Sequence, residues 1–349
     1  MQPVAKAKEV VKKMDIKMSD IAKMAAVSKS TVSRALKNDS RVKEETKNKI
    51  LKIASKFNYQ PNKVAQALAE NNTKIIAVML PSAPRSVSDP FFLEFLHGIN
   101  NIAYQMGYSL SIPPVESENF ASFKKINQNL NVDGVILTEP QLNDPRIKYL
   151  KENNIPFVFN GNPMAGEDIA WVDTDNQQGA FQAVDYLVKK GHQKIAAVTG
   201  PLDLIAGKYR LEGYYQALRK NKIEIKRDWI IESDFTEKGA YLAAKNLIKY
   251  HKEITAVFAA NDLMALGISK SLKDAGLKIP QDISLIAYDS IKLGEYIDPP
   301  LTTIENTSQQ KGEKAVELLI KLIEGKKIKS KQILFPPELI IRDSVRDIF

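Results

Sequence analysis

From Ile75 onward the chain alternates two patterns. Short apolar runs recur: IIAVML (75–80), YSLSI (108–112), GVILT (134–138), PFVFN (156–160), IAAVT (195–199), AVFAA (256–260) and SLIAY (284–288). Longer amphipathic stretches, such as FLEFLHGINNIAYQMG and AAKNLIKYHK, lie between them. Runs this short and this apolar read as strands buried on both faces, and the stretches between them as covering helices. That alternation predicts parallel α/β sheets. The 275 residues from Ile75 to Phe349 hold enough of these units for two doubly wound subdomains.

Before Ile75 the period is helical and the pieces are short. Ser19 is placed to cap a helix running to about Ala26, with Ile21, Ala22 and Ala25 on one face. Small residues on that face let a second helix cross closely. Val27 and Ser28 make a turn, and Ser28 caps a helix from Lys29 to Leu36. Val32 and Leu36 then point inward, leaving Lys29, Ser30, Ser33 and Arg34 outward. Glu44 and Glu45 open a third helix with a stripe of Ile50, Ile53, Ala54 and Phe57. Tyr59-Gln60-Pro61-Asn62 breaks it, and KVAQALAENN reads as a two-turn helix, marginal alone in water. The first two helices have the spacing of a helix-turn-helix, which lays its second helix in the DNA major groove. Lys and Arg can donate to guanine edges, and Ser hydroxyls can reach bases or phosphates. Leu68, with no evident core to enter, is a candidate wedge for the minor groove; the plain reading is a linker helix whose Leu packs on a neighbour.

Charge sharpens this picture. The chain carries a net +9, yet residues 1–63 hold 16 Lys or Arg against 6 Asp or Glu. The remainder has 34 against 35, so the basic character belongs to the helical segment and fits a polyanion partner. There is no Cys, which excludes a disulfide scaffold and a Cys-ligated zinc site and suits a reducing cytosol. No apolar run approaches the roughly 20 residues of a membrane span, and no export signal opens the chain. A cytoplasmic protein is expected.

The strings DIAKMAAVSKSTVSRAL, VKEETKNKIL, FNYQPNKVAQAL and TKIIAVMLP closely resemble the lactose-repressor/galactose-repressor (LacI/GalR) family of bacterial transcription regulators. The resemblance continues through IPFVFN, WVDTDNQQGAFQAVDYLVKKGHQKIAAVTGP, RLEGYYQAL, AVFAANDLMALG, GLKIPQDISLIAYDS and PPLTTI. It implies a periplasmic-binding-protein-like core whose chain crosses between subdomains near Asp175, Thr303–Asn306 and Phe335–Pro337. It also implies base reading by Lys29, Ser30 and Arg34 and a hinge wedge at Leu68; Ser28, Ser33 and Tyr59 complete the expected DNA-binding set. Gln66 departs from the Arg of many members.

The expected organisation is a disordered extension over 1–17, a helix-turn-helix domain over 18–61 and a hinge over 62–73. An effector-binding and dimerisation core follows over 74–349. Its N-subdomain takes about 74–173 and 305–334, and its C-subdomain about 175–303 and 337–349.

Ligands of open parallel sheets bind beyond the carboxyl ends of the strands, and two facing subdomains make one cleft of those ends. Phe91, Phe92, Arg210, Asn261 and Asp289 all follow such ends. An aromatic wall with carboxylate, amide and guanidinium groups is what a sugar requires, and in the resembled family these positions contact the effector. The bland readings are a helix cap for Asn261-Asp262, with Asp262 as the cap, a loop carboxylate for Asp289 and core rings for Phe91 and Phe92. Trp171 reads as strand-end packing. Leu204 and Ala206 stand where the purine-binding branch has polar groups, which disfavours a purine. PSAPRSVSDPFF, Gly161-Asn162-Pro163 and VDTDN resemble the maltose-type repressors, so a maltose-like oligosaccharide is the expected effector.

An enzyme finds little support. His97, His192 and His251 make no zinc pair, and no nucleophile elbow or P-loop occurs. His192 in KKGHQKI reads as a helix C-terminal cap. No cofactor or metal is expected. The chain ends just after ELIIR without a heptad-bearing tail, so the expectation is a homodimer matching a palindromic operator. A regulator answering to a phosphorylated carrier protein, or a corepressor-dependent one, remains the alternative.

Overall fold

A computed structural model of the chain describes residues 16–59, 72–81, 89–114, 120–129, 131–164, 166 and 168–349. It divides into two compact units, residues 1–73 and 74–349. The expected extension (but for Ile16 and Lys17), Leu68 and most of the hinge lie outside the described residues.

In the first unit, α1 (Met18–Ala25), α2 (Lys29–Leu36) and α3 (Glu44–Lys56) enclose a small core of Ile21, Ala22, Ala25, Val32, Ala35, Val42, Ile50 and Ala54. α1 begins two residues earlier than a cap at Ser19 would dictate. Lys17 is its N-cap, and the Asp20 carboxylate accepts from the Lys17 backbone N–H at 2.9 Å. Ser28 caps α2 as expected, its Oγ accepting from the Thr31 N–H at 3.1 Å. Ala35, rather than Leu36, is the fully buried partner of Val32 on α2. Phe57 falls beyond the last turn of α3 and stays exposed, so the stripe ends at Ala54.

The second unit contains two six-stranded sheets. The first is built from β1 (Ile75–Met79), β2 (Ser109–Ser111), β3 (Gly134–Thr138), β4 (Phe157–Asn160), β5 (Trp171–Thr174) and β11 (Gln332–Phe335). Its order is β11-β5-β4-β3-β1-β2, parallel throughout. The second is built from β6 (Ile195–Thr199), β7 (Ile230–Glu232), β8 (Ala256–Ala259), β9 (Ser284–Asp289), β10 (Thr302–Glu305) and β12 (Glu338–Ile340). Its order is β12-β10-β9-β8-β6-β7, with β12 alone antiparallel. The apolar runs read from sequence are these strands to within a residue or so at either end. β5, β7, β10 and β11 carry no comparable run.

Helices cover both sheets. α4 (Pro90–Gln105), α5 (Phe120–Asn129), α6 (Pro145–Glu152) and α11 (Ser308–Ile323) pack on the first. α7 (Asn176–Lys189), α8 (Ile205–Lys220), α9 (Glu237–Tyr250) and α10 (Asp262–Asp274) pack on the second. The chain passes between sheets after β5, after β10 and between β11 and β12. Trp171 opens β5 inside the first core.

His192 closes the end of α7 with its backbone, the N–H donating to the Leu187 carbonyl at 3.1 Å, and its side chain does more. Its ring is fully buried: Nε2 donates to the Arg346 carbonyl at 3.2 Å, and Nδ1 meets Thr255 Oγ1 at 2.9 Å. It therefore tethers the final segment to the second sheet. Burial depresses its pKa, so below the ordinary imidazole range the unfolded chain takes up a proton that the folded state refuses. Melting temperature is expected to fall from pH 7 to pH 5, and His192→Gln to remove part of that dependence in a calorimetric pH series.

Candidate functional site

On α2 the outward side carries Lys29, Ser30 and Arg34, all exposed, with Ser33 half-buried. Ser28 shares hydroxyl contacts with Ser30 at 2.7 Å and Thr31 at 2.8 Å, so its oxygen is committed to shaping the helix start. The turn into α2 is pinned by Lys49, whose Nζ donates to the Ala25 carbonyl at 3.0 Å. Tyr59 lies half-buried against this small core. A short helix presenting two cations and hydroxyls on a rigid three-helix base can enter a DNA groove.

The second site is a cleft of about 680 Å³ in the larger unit. Both sheets run in the order 2-1-3-4-5 through their first five strands, so each has a switch point where its first and third strands meet. Loops leaving such a point diverge and open a crevice. The loops after β1, β3, β6 and β8 all contribute to the cleft, and so do the ends of β4, β5, β9 and β10.

The cleft brings together Phe91, Phe92, Arg210, Asn261 and Asp289. Asp89 caps α4, accepting from the Phe91 N–H at 2.9 Å. That places Phe91 at the edge of the cleft and Phe92 mainly in the core, their rings edge to face at 5.1 Å. Asn261, not Asp262, is the cap of α10: its Oδ1 accepts from the Met264 N–H at 2.8 Å. Asp262 instead braces the turn after β9, accepting from the Ile291 N–H at 2.8 Å and from Thr303 Oγ1.

Asp289 ends β9 with φ at 113°, a backbone region that side chains rarely tolerate. Its carboxylate accepts from Arg210 Nη2 at 3.1 Å and from Asn306 Nδ2 at 2.7 Å. Arg210, from α8, also donates to Asn176 Oδ1 at 2.9 Å and to the Ala260 carbonyl, and lies 3.8 Å above the Tyr288 ring. Asn176 passes the network to Asp173 at 3.2 Å. Lys311, at the start of α11, donates to Asn306 Oδ1 at 2.7 Å. The hydrogen bonds run unbroken from Asp173 in the first sheet, through Arg210 and Asp289 in the second, back to Lys311 against the first. Burial raises the pKa of Asp173 and of Asp289, while Arg210 and Lys311 oppose it in both. Asn160, Asp173, Asn176, Asn306 and Lys311 were not singled out from sequence. The strand-end rule that selected Asn261 applies equally to Asn160, the last residue of the PFVFN run.

A strap closes one edge of the cleft. Ile205 N–H donates to the Pro140 carbonyl at 3.1 Å, and Leu142 N–H to the Asp203 carbonyl at 3.4 Å, with Gln141 and Leu204 bridged antiparallel. Gly161 lets the Pro140 ring approach: a Cβ there would fall 2.7 Å from Pro140 Cδ. Among the described residues no group of three or more potential metal ligands gathers, and no helix is long and apolar enough to cross a membrane.

A DNA-reading helical unit joined to a two-sheet ligand cleft defines a ligand-responsive transcription regulator. Comparisons with known proteins agree. The signature of bacterial regulatory proteins of the lacI family matches residues 17–62, and that of the periplasmic binding protein-like domain matches residues 184–345. The transcriptional repressor CytR of Escherichia coli K12 is 36% identical over 333 residues, 94% of this chain and 96% of that one. The lac repressor dimer bound to operator and the anti-inducer ONPF superposes with a TM-score of 0.85 at 28% identity, covering 95% of this chain and 99% of that one. A CelR–cellobiose complex gives 0.73 at 26% identity, covering 94% and 99%. The chain belongs to the LacI family, DNA-binding transcriptional repressors with a periplasmic-binding-protein-like ligand domain.

Proposed function

We propose that this repressor binds a palindromic operator as a homodimer in the cytoplasm and releases it when a neutral sugar, a maltose-like oligosaccharide first among candidates, occupies the cleft. Lys29, Ser30, Ser33 and Arg34 read bases, while Ser28 and Tyr59 support phosphate contact. Leu68, outside the described residues, serves as the minor-groove wedge. Phe91, Phe92, Arg210, Asn261 and Asp289 hold the effector.

The observation that carries this reading is the buried polar network on the cleft wall, drawn from both subdomains. Its two carboxylates are matched by Arg210 and Lys311, so it suits a neutral ligand with many hydroxyls. The solved CelR complex with cellobiose supports the same class. A ligand touching both subdomains binds one of their arrangements better than another, and that difference is all that can shift the equilibrium.

Thermal stabilisation by a sugar panel tests the effector, because a ligand bound to the folded state raises the melting temperature. No stabilisation by any sugar, with binding of a phosphorylated carrier protein instead, would overturn it; a ligand that tightens operator binding would make the protein corepressor-dependent. On the DNA side, Arg34→Ala is expected to cost roughly 1–3 kcal/mol at one base pair and relax specificity there. Equal losses across all operator variants, measured by anisotropy at fixed salt, would make Arg34 a phosphate contact.

A further inference from the structure

Two polar groups on the cleft wall remain incompletely satisfied, and they are complementary. Lys311 is 2% exposed, yet among the described residues its ammonium makes one hydrogen bond, to Asn306. The Phe91 ring, 5.0 Å from Nζ, covers one side of it. An ammonium has three N–H donors, so donors are left over in a place where bare charge is costly. Asn160, at the end of β4, is 6% exposed, and its Oδ1 has no hydrogen-bond partner among the described residues. Both residues line the cleft. A buried donor without an acceptor and a buried acceptor without a donor, on one wall, are matched by a group that both accepts and donates. A hydroxyl does both; a phosphate or carboxylate offers Asn160 Oδ1 nothing.

We propose that Lys311 and Asn160 are specificity-determining residues that select a neutral, hydroxyl-bearing effector, Lys311 Nζ donating to a ligand oxygen and Asn160 Oδ1 accepting from a ligand O–H. This rests on the reading of the cleft as the effector site. Asp173 and Asp289 already balance Arg210 and Lys311 on the cleft wall, so neither cation is left over for an anionic ligand. Burial pulls the Lys311 pKa down to about 8, against Asp173 and Asp289, which hold it up. The other charged neighbours are Arg210, which lowers it, and Glu305, which raises it; Glu94 on α4 faces Asp289 and Glu305. Above that pH the side chain turns neutral and its donors weaken.

The test uses the full chain and isothermal titration with maltose, cellobiose and glucose 6-phosphate at pH 7.0 and pH 9.5. At least one neutral sugar is expected to bind, glucose 6-phosphate is not, and affinity is expected to drop at pH 9.5. Lys311→Met should weaken binding about 10-fold or more and abolish the drop. Melting temperature is not the readout for this variant, because it also takes the donor from Asn306 Oδ1. Asn160→Ala should weaken neutral-sugar binding about 10-fold. A purely structural Lys311 would instead leave affinity per folded molecule intact in the Lys311→Met variant, overturning the proposal. So would binding of glucose 6-phosphate better than its neutral relatives. Asp289→Asn separates the two readings: if it abolishes binding while Lys311→Met and Asn160→Ala bind as wild type, the cleft reading stands and this one falls. If no neutral sugar binds, both fall.

Discussion

Arg210→Met is expected to lower the melting temperature of the ligand-binding unit by roughly 6–12 °C and to abolish effector binding. The guanidinium is buried with three separate partners: Asn176, the Ala260 carbonyl and Asp289. Removing one side of a buried ion pair strands the other, a cost of about 3 kcal/mol or more. Each kcal/mol moves the melting temperature of a unit this large by roughly 2–4 °C. The loss should also depend on pH. Burial already raises the Asp289 pKa, and without Arg210 only Asn306 and Lys311 oppose it. A folded-state carboxyl pKa above the unfolded value means stability present at low pH and lost as pH rises through it. The deficit should therefore be smaller at pH 5 than at pH 8. Calorimetry of both proteins at the two values decides it; an equal deficit would place the cost in packing over the Tyr288 ring instead.

Asp289→Asn is expected to leave operator affinity within about two-fold of wild type while weakening effector binding by roughly 100-fold or more. Its carboxylate sits at the cleft end of β9, and a charged acceptor contributes about 1.5–3 kcal/mol per hydrogen bond to a ligand. Two such bonds give at least the stated loss. In cells the variant should repress normally and fail to respond to the effector. A reporter strain bearing the operator reads this directly, and a variant that still induces would remove Asp289 from the effector site. The backbone strain at φ 113° gives a second reason to expect a specialised role. Such strain costs of order 1–3 kcal/mol and persists where the surroundings enforce it. Here Asn306, Arg210 and the turn braced by Asp262 do so.

The sheets were legible where strands are buried on both faces, because burial on both sides leaves no polar positions to confuse the pattern. IIAVM, GVILT and IAAVT are of this kind. WVDT and TTIE are as deeply buried but carry Asp, Thr and Glu, and QILF is only half-buried. All three lead into a crossing between subdomains, and at the first of these Asp173 and Thr174 turn toward cleft or crossover partners. β11 is an edge strand with half-buried and exposed positions. The cap of α2 was readable because Ser28 precedes a helix with no competing residue. The cap of α1 was not, because Asp20 at its third position bonds back to Lys17 and overrides Ser19. Within the cleft, Asn261 and Asp289 follow apolar strands and announce themselves. Lys311 could not: a lysine in the first turn of an amphipathic helix is ordinarily solvated. Lys311 is turned inward because it shares the buried face of its helix with Ala315 and Leu319, four and eight residues on.

The strap between residues 140–142 and 203–205 bears on time rather than on affinity. A ligand entering by that edge has to wait for those hydrogen bonds to break. Two backbone hydrogen bonds at about 0.5–1.5 kcal/mol each leave an open form of order 1–10% of the population. Association would then be slowed by that fraction, and at high effector concentration its rate would level off at the opening rate instead of climbing linearly. Departure through the same edge is subject to the same opening, so residence is long for the affinity. A repressor gated this way would average over brief swings in effector supply and respond to sustained ones.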